Sequence, residues 1–258
     1  MIKTIGIAIC IVFSSISAVG AQPQQPSPSN TVFAPGEKLT YSISWSKLIK
    51  AGVAVMEVKQ SPSKNEPQYH FVTTTRSVGI LETFYPIRDV VESIINAEGM
   101  YSLFFSLKES HGSKKRRREI KFDQENHTVW FRLNDDKPET YAIPVRVQDA
   151  LSSLYHVRMQ REFTPDKPIL VNVFDSGKTW SVEVYTLGKE RIETPAGEFN
   201  TIKIRTYPKY EGVFMNQGEI FIWITDDERK IPVLMKSTIM IGSIVATLTH
   251  LEGGSQPQ

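Results

Sequence analysis

Between residues 38 and 251 the chain alternates apolar and polar residues with a period of two, and turn residues break the pattern at short intervals. Extended backbone sends successive side chains to opposite faces, so this pattern builds strands with one face toward a core. The first run, 38–47, places Tyr41, Ile43 and Trp45 together. Further runs are expected at 51–60, 68–78, 87–97, 101–109, 114–123 and 127–133. They resume at 169–174, 179–187, 190–194, 198–208, 219–225, 233–240 and 243–251. Asn134-Asp135-Asp136, Asp175-Ser176-Gly177, Thr194-Pro195-Ala196-Gly197 and Asp226-Asp227-Glu228 mark turns. EIFIWIT, at 219–225, is apolar on both faces and should be covered on both sides.

One segment departs from the alternation. At 149–160 the chain reads DALSSLYHVRMQ, with Asp149 placed as an N-cap and Leu151, Leu154, Tyr155 and Arg158 on one stripe. A helix of about three turns follows from that spacing. A second short helical turn is expected near 81–84. Many strands with one long helix exclude a doubly wound α/β fold, which needs a helix between most strands. A β-sandwich or a curved sheet remains. The expected class is mainly β: a single domain with a strongly curved antiparallel sheet or an open β-barrel-like fold, the helix filling or capping its concave side.

The N-terminus speaks to compartment. MIKTIGIAICIVFSSISAVGAQ has a basic start at Lys3, an apolar run over about 5–16, and small residues Val19-Gly20-Ala21 before Gln22. This is the pattern of a cleavable signal peptide, 1–21, with cleavage between Ala21 and Gln22. The apolar run is too short to span a bilayer, so no transmembrane segment is expected in the mature chain. Cys10 follows Ile9 inside that run, a poor position for lipidation, and it is the only cysteine. The mature chain then has no disulfide and no thiolate ligand, which suits a protein large enough to rely on its core. A periplasmic location is expected. Residues 22–36, rich in Gln, Pro and Ser, read as a flexible linker, 37–252 as one β-rich domain, and 253–258 as a flexible tail.

The run KKRRR at 114–118 invites a nucleic-acid reading. The whole chain has 30 basic and 28 acidic residues for a net charge of +2, which is not the excess of a nucleic-acid binder. Residues 101–123 instead read as a hairpin turning at His111-Gly112. Tyr101 then faces Phe122, Leu103 faces Ile120, Phe105 faces Arg118, Leu107 faces Arg116, and Glu109 faces Lys114. Arg116 and Arg118 thus fall on the core-facing side near the end of the sheet. There they meet an acidic side chain or an anionic ligand, or the hairpin end projects into water.

Enzyme chemistry finds little support. No two of the five histidines have helical metal-pair spacing, and there is no HExxH, GxSxG, P-loop or GxGxxG motif. No metal, no cofactor and no catalytic residue are expected. Asp135-Asp136 and Asp226-Asp227 are adjacent on turns, unsuited to the opposed carboxylates of glycosidases. Trp45, Trp130, Trp180 and Trp223 lie in expected strands and are read as core residues.

Several stretches carry a family resemblance: GEKLTYSISW (36–45) followed by AGVAVMEV (51–58), DALSSLYHVR (149–158), ETPAGEFNTIKI (193–204) and IWITDDERKIPVLMKS (222–237). In this order they resemble the domain of unknown function 3108 family of exported Gram-negative proteins. The resemblance implies a periplasmic, mainly antiparallel β protein without an assigned catalytic site. The expectation is a non-enzymatic protein binding an apolar or amphipathic envelope molecule, such as a lipid, in a sheet concavity, with Arg116 and Arg118 at its head group. The alternative is a scaffolding component of envelope assembly that meets a protein partner and has no cavity. A cell-wall glycan-acting enzyme ranks last.

Overall fold

The structure, a computed structural model, describes residues 32–46, 49–60, 63, 66–210, 213–214, 219–238 and 242–254. The expected signal peptide, the Ala21–Gln22 bond and most of the expected linker lie outside these residues. Eight strands follow one another as an antiparallel meander: β1 (Lys38–Trp45), β2 (Ile49–Lys59), β3 (Gln68–Ser77), β4 (Ile87–Asn96), β5 (Ser102–His111), β6 (Lys114–Asp123), β7 (Thr128–Leu133) and β8 (Glu139–Ala142). A second run holds β9 (Ile169–Asp175), β10 (Lys178–Thr194), β11 (Gly197–Tyr210), β13 (Ile220–Thr225), β14 (Pro232–Thr238) and β15 (Ser243–Glu252), with β12 (Val213–Phe214) beside β11. Pairing of β15 with β1 joins the runs into one sheet, ordered β8-β7-β6-β5-β4-β3-β2-β1-β15-β14-β13-β11-β10-β9.

The curvature brings the two flanks together. Gln148, just past β8, donates its backbone N–H to Asn172 at 2.8 Å and accepts from Phe174 at 2.9 Å, forming a parallel bridge to β9. Tyr141 of β8 packs against Phe174 with ring centroids 5.6 Å apart. A sheet that curls until its flanks touch leaves less edge free to pair with other chains. The architecture is therefore the curved, barrel-like alternative and not a two-sheet sandwich.

The inner face is filled at one end by helix α2 (Ser152–Arg158). It has seven residues, not the three turns expected over 149–160. The reason lies at its start: Asp149 Oδ1 accepts from the N–H groups of Leu151 and Ser152, both at 2.8 Å, and so organises a turn ahead of the helix. The expected stripe is otherwise present. Tyr155 stacks face to face on Phe71 of β3 at 3.6 Å, Leu151 joins the same cluster, and Val157 packs with Val171, Val184, Ile204 and Ile222 of the second run. The other helix, α1 (Gly79–Phe84), links β3 to β4.

Phe33 sits edge-on to Tyr69, Phe71 and Tyr155 and is buried, so the expected linker 22–36 reached too far: an aromatic side chain docks its last residues into the core. Gly253, placed in the expected tail, accepts from Arg229 through its carbonyl oxygen at 3.0 Å. The tryptophans depart from expectation too: Trp223 is buried, but Trp45 and Trp130 are 40% and 43% exposed.

β10 runs unbroken through both strands expected there, with a register shift between Thr186 and Gly188. Beyond the shift the β10–β11 hairpin extends over β13 and β14. Ile192, Ala196 and Phe199 join the cluster of Trp223, Leu234 and Val245, and Trp223 Nε1 donates to Glu190 at 2.7 Å. Ile222 and Ile224 meanwhile pack with Val157 of α2. β13 is covered on both faces, as its sequence requires.

Two buried polar assemblies lock α2 in place. Arg158 and Glu37 are 0% and 1% exposed and pair bidentately at 2.7 and 2.9 Å, with the guanidinium also donating to Arg229 O at 3.1 Å. Burial works to lower the Arg158 pKa, but the Glu37 carboxylate outweighs it and holds it above the usual value. Asp149 Oδ2 accepts from Ser93 Oγ at 2.6 Å and Ser102 Oγ at 2.7 Å, tying the start of α2 to β4 and β5.

Arg158→Ala strands a buried carboxylate and is expected to cost about 3–5 kcal/mol in urea unfolding, whereas Glu37→Leu/Arg158→Met together should recover most of that loss. Asp149 makes a separate prediction. Burial raises its pKa, opposed by hydrogen bonds from Ser93, Ser152, Ser102 and Leu151. The folded protein therefore keeps this proton at pH values where the unfolded chain has released it. Its contribution to stability falls as pH rises from the unfolded pKa to the folded one, and is flat beyond. Asp149→Asn should remove that fall in unfolding measurements from about pH 4 to 7. An Asn variant with the wild-type slope would assign it to another group.

Candidate functional site: the polar rows of the inner face

The register of the sheet sorts the inner face into rows. One row reads Leu39, Met56, Thr73, Val91, Leu107, Arg118 and Leu133 across β1 to β7. The next reads Tyr41, Ala54, Thr75, Asp89, Glu109 and Arg116. Both begin in the core and become polar toward β6. Val91, Leu107 and Leu133 are only partly buried, so the apolar inner face continues beyond α2.

Arg116 and Arg118 lie on this face, as expected, although the partners differ. The hairpin loop is Gly112-Ser113, so Leu107 faces Arg118 and Glu109 faces Arg116. Gly112 has φ 60°, and a two-residue loop with positive φ at its first residue favours glycine there. The register moves by one residue on each strand relative to the expected one. Facing survives, because each row then moves by two positions along its partner.

The two arginines have different surroundings. Arg118 is part-buried, with Nη1 donating to Asp175 at 2.7 Å and to Ser176 Oγ at 2.9 Å, while Glu109 lies 3.9 Å away. It reaches from β6 to the turn after β9 and so braces the two flanks. Arg116 is exposed. Asp89 meets His111 Nε2 at 2.9 Å. Thr73 Oγ1, Glu109 Oε2 and Arg118 Nε are buried without a hydrogen-bond partner among the described residues. Such atoms cost free energy unless something satisfies them. All three lie in these two rows. The unmatched atoms of Thr73 and Glu109 had no signature in the sequence, because they arise only once the register aligns β3, β5 and β6. Among the described residues no group of three His, Cys, Asp or Glu side chains could hold a metal, and no helix is long and apolar enough to cross a membrane.

A family model described as protein of unknown function DUF3108 matches residues 40–249. The chain belongs to the DUF3108 family. In fold this DUF3108 protein is similar to a β-barrel-like protein of domain of unknown function DUF1849 from Brucella abortus, at 13% identity over 84% of this chain and 97% of that one, with a TM-score of 0.57. It also overlaps a presumed lipoprotein from Parabacteroides distasonis, at 10% identity over 84% and 95% of the chains and a TM-score of 0.37. A presumed exported protein with a YmcC-like fold from Bacteroides fragilis gives 10% identity, 85% and 97%, and 0.35. No curated protein matches the chain.

Three of the segments that carry the family resemblance meet in space around α2. Glu37 lies in the first of them, Arg158 in the helical one, and Arg229 in the DDERK tip, where Asp227 Oδ1 accepts from the Arg229 and Lys230 N–H groups at 3.0 and 3.2 Å. These three segments build the plugged end, and the polar rows lie away from it.

Arg118→Ala should lower stability by about 1 kcal/mol through loss of the Asp175 bridge, and Arg116→Ala should stay within about 0.5 kcal/mol of wild type. Chemical denaturation of the two variants side by side measures the contrast.

Proposed function

We propose that this is a non-enzymatic periplasmic protein that binds an apolar or amphipathic molecule of the cell envelope against the inner face of its sheet. The observation that carries the reading is that Thr73 Oγ1, Glu109 Oε2 and Arg118 Nε are buried without a hydrogen-bond partner, in rows that also carry the partly buried Val91, Leu107 and Leu133. Apolar lining with a few convergent polar groups is the usual make-up of a small-molecule site, and curved sheets commonly offer one. The aliphatic part of the ligand lies along Leu107 and Leu133. Its polar part takes hydrogen bonds from Thr73 and Arg118, and any negative charge faces Arg116. Arg118 positions more than it neutralises, because Asp175 already balances its charge.

Native mass spectrometry of the mature protein, purified gently from periplasm, tests this directly. A reproducible extra mass, released on denaturation and extractable into organic solvent, is the expected result. Leu107→Trp, which fills the row, should remove it. Arg116→Ala should reduce retention if the extracted molecule is anionic, and unchanged retention of an anionic molecule would take Arg116 out of the site. A bare mass in every preparation overturns the ligand reading and favours an envelope protein partner at the exposed β5–β6 hairpin.

A further inference from the structure

Helix α1 is turned the wrong way for a globular protein. None of its residues is buried, and Ile80 and Phe84 are 73% and 80% exposed. Its acidic residue faces the protein instead: Glu82 accepts from Ser77 Oγ at 2.5 Å and pairs with Arg88 through both carboxylate oxygens. The Arg88 and Ser77 hydrogen bonds hold the Glu82 pKa down at about 2. An amphipathic surface helix normally presents the opposite arrangement, its apolar side inward. Here the polar side chain anchors the helix, Leu81 is partly buried, and Ile80 and Phe84 are presented outward.

The neighbours of α1 extend the same chemistry. Tyr85, at its C-terminal end, is 44% exposed and lies edge-on to His111 with ring centroids 6.4 Å apart. On the other side, Val78 N donates to Ala51 O at 3.0 Å, which brings α1 against the start of β2. There Ile49 pairs with Trp45, and Trp45 pairs with Ile244 of β15; all three are exposed. The strand register thus sets these apolar side chains along one rim, at the opposite end of the sheet from α2. The β5–β6 hairpin ends on this rim too: Gly112 N donates to Pro86 O at 2.8 Å. Lys114, Lys115, Arg116 and Arg117 on that hairpin are all exposed. An open depression of about 460 Å³ beside them is bordered by Arg88 and Lys108 as well, with Glu109 and Asp135 also on its edge, so basic residues outnumber acidic ones around it.

We infer that this rim docks onto the surface of an anionic lipid bilayer, Ile80 and Phe84 entering the acyl boundary while the basic hairpin meets headgroup phosphates. Three features select a bilayer as the occupant. The exposed apolar groups stand on strand ends and a short helix, a geometry for insertion. Trp45 and Tyr85 are of the types favoured at the membrane–water interface. The flanking charge is basic and complements anionic headgroups, whose attraction adds to apolar insertion. The inference stands independently of a ligand on the inner face.

Vesicle flotation of the mature full-length protein tests it. Vesicles of phosphatidylglycerol with phosphatidylethanolamine should carry the protein up the gradient, and phosphatidylcholine vesicles should carry it about tenfold less. Raising salt to about 0.5 M should weaken the anionic binding, because exposed charges are screened. Ile80→Ser/Phe84→Ser should reduce partitioning about tenfold or more without changing the melting temperature, since both side chains are already in water. Lys114→Glu/Lys115→Glu should abolish the preference for anionic vesicles. Failure of the wild type to float with anionic vesicles overturns the inference, and so does an Ile80/Phe84 variant that floats like wild type. Self-association in solution through Ile80 and Phe84, without vesicle binding, would make the rim a protein interface and likewise overturn it.

Discussion

The buried pair between Arg158 and Glu37 is the contact on which the rest of the fold turns. Three distant parts of the chain meet there: the entry to the first strand, the end of α2, and the turn carrying Arg229. The guanidinium lies between Phe33 and Tyr155, about 5 Å from each ring centroid. Two charges removed from water cost more than their attraction returns unless the geometry is good and other polar atoms are matched. Here the pairing is bidentate and a carbonyl takes a further N–H. Such an arrangement adds little net stability over a well-packed apolar one, but it penalises any misplacement of α2 severely. The pair thereby determines which end of the curled sheet is closed.

That closure makes the two ends unequal. Near α2 the inner face is dense: Leu39, Phe71, Phe105 and Ile120 are buried under Tyr155, Phe33 and their neighbours. Along the strands toward the β5–β6 hairpin, the same face becomes Val91 and Leu107, then Asp89, Glu109 and Arg116. One helix of seven residues cannot cover a sheet of this breadth, and the remainder of its inner surface carries the unmatched atoms of Thr73, Glu109 and Arg118, while those of Gln148, Arg158 and Arg229 lie beside α2. The Arg118–Asp175 bridge holds the flanks together in that half, doing with one ion pair what Gln148 does with two backbone hydrogen bonds next to α2.

Much of this was legible in the sequence, for a local reason. Period-two alternation reports facing, and facing is insensitive to where a turn falls by one residue on each strand. The Arg116 and Arg118 rows therefore came out on the correct side although their partners did not. β10 read as two strands because Gly188 interrupts the pattern, yet the chain only shifts register there. β8 is four residues long, too short to show alternation. The strand burial of Trp45 and Trp130 failed differently: strand membership does not say how far along the sheet the core extends. α2 came out short because Asp149 caps the turn before the helix, a matter of backbone geometry.

The orientation of α1 illustrates the remaining gap. GILETF has apolar residues at 80, 81 and 84, the spacing of a buried helical stripe. Nothing local distinguishes a stripe that packs inward from one that faces out. The direction is decided by Glu82, whose partners Ser77 and Arg88 come from the strands on either side of the helix. Ser77 Oγ also accepts from Ile87 N at 2.9 Å, so one hydroxyl links the carboxylate to the start of β4. Turning Ile80 and Phe84 inward would break those bonds and leave Glu82 facing solvent, a change of modest cost at a partly exposed site. A preference so small in water becomes decisive once the apolar side meets a surface that accepts it, because each side chain transferred adds its own hydrophobic gain. The outward helix is thus best understood as a state whose stability is completed by contact.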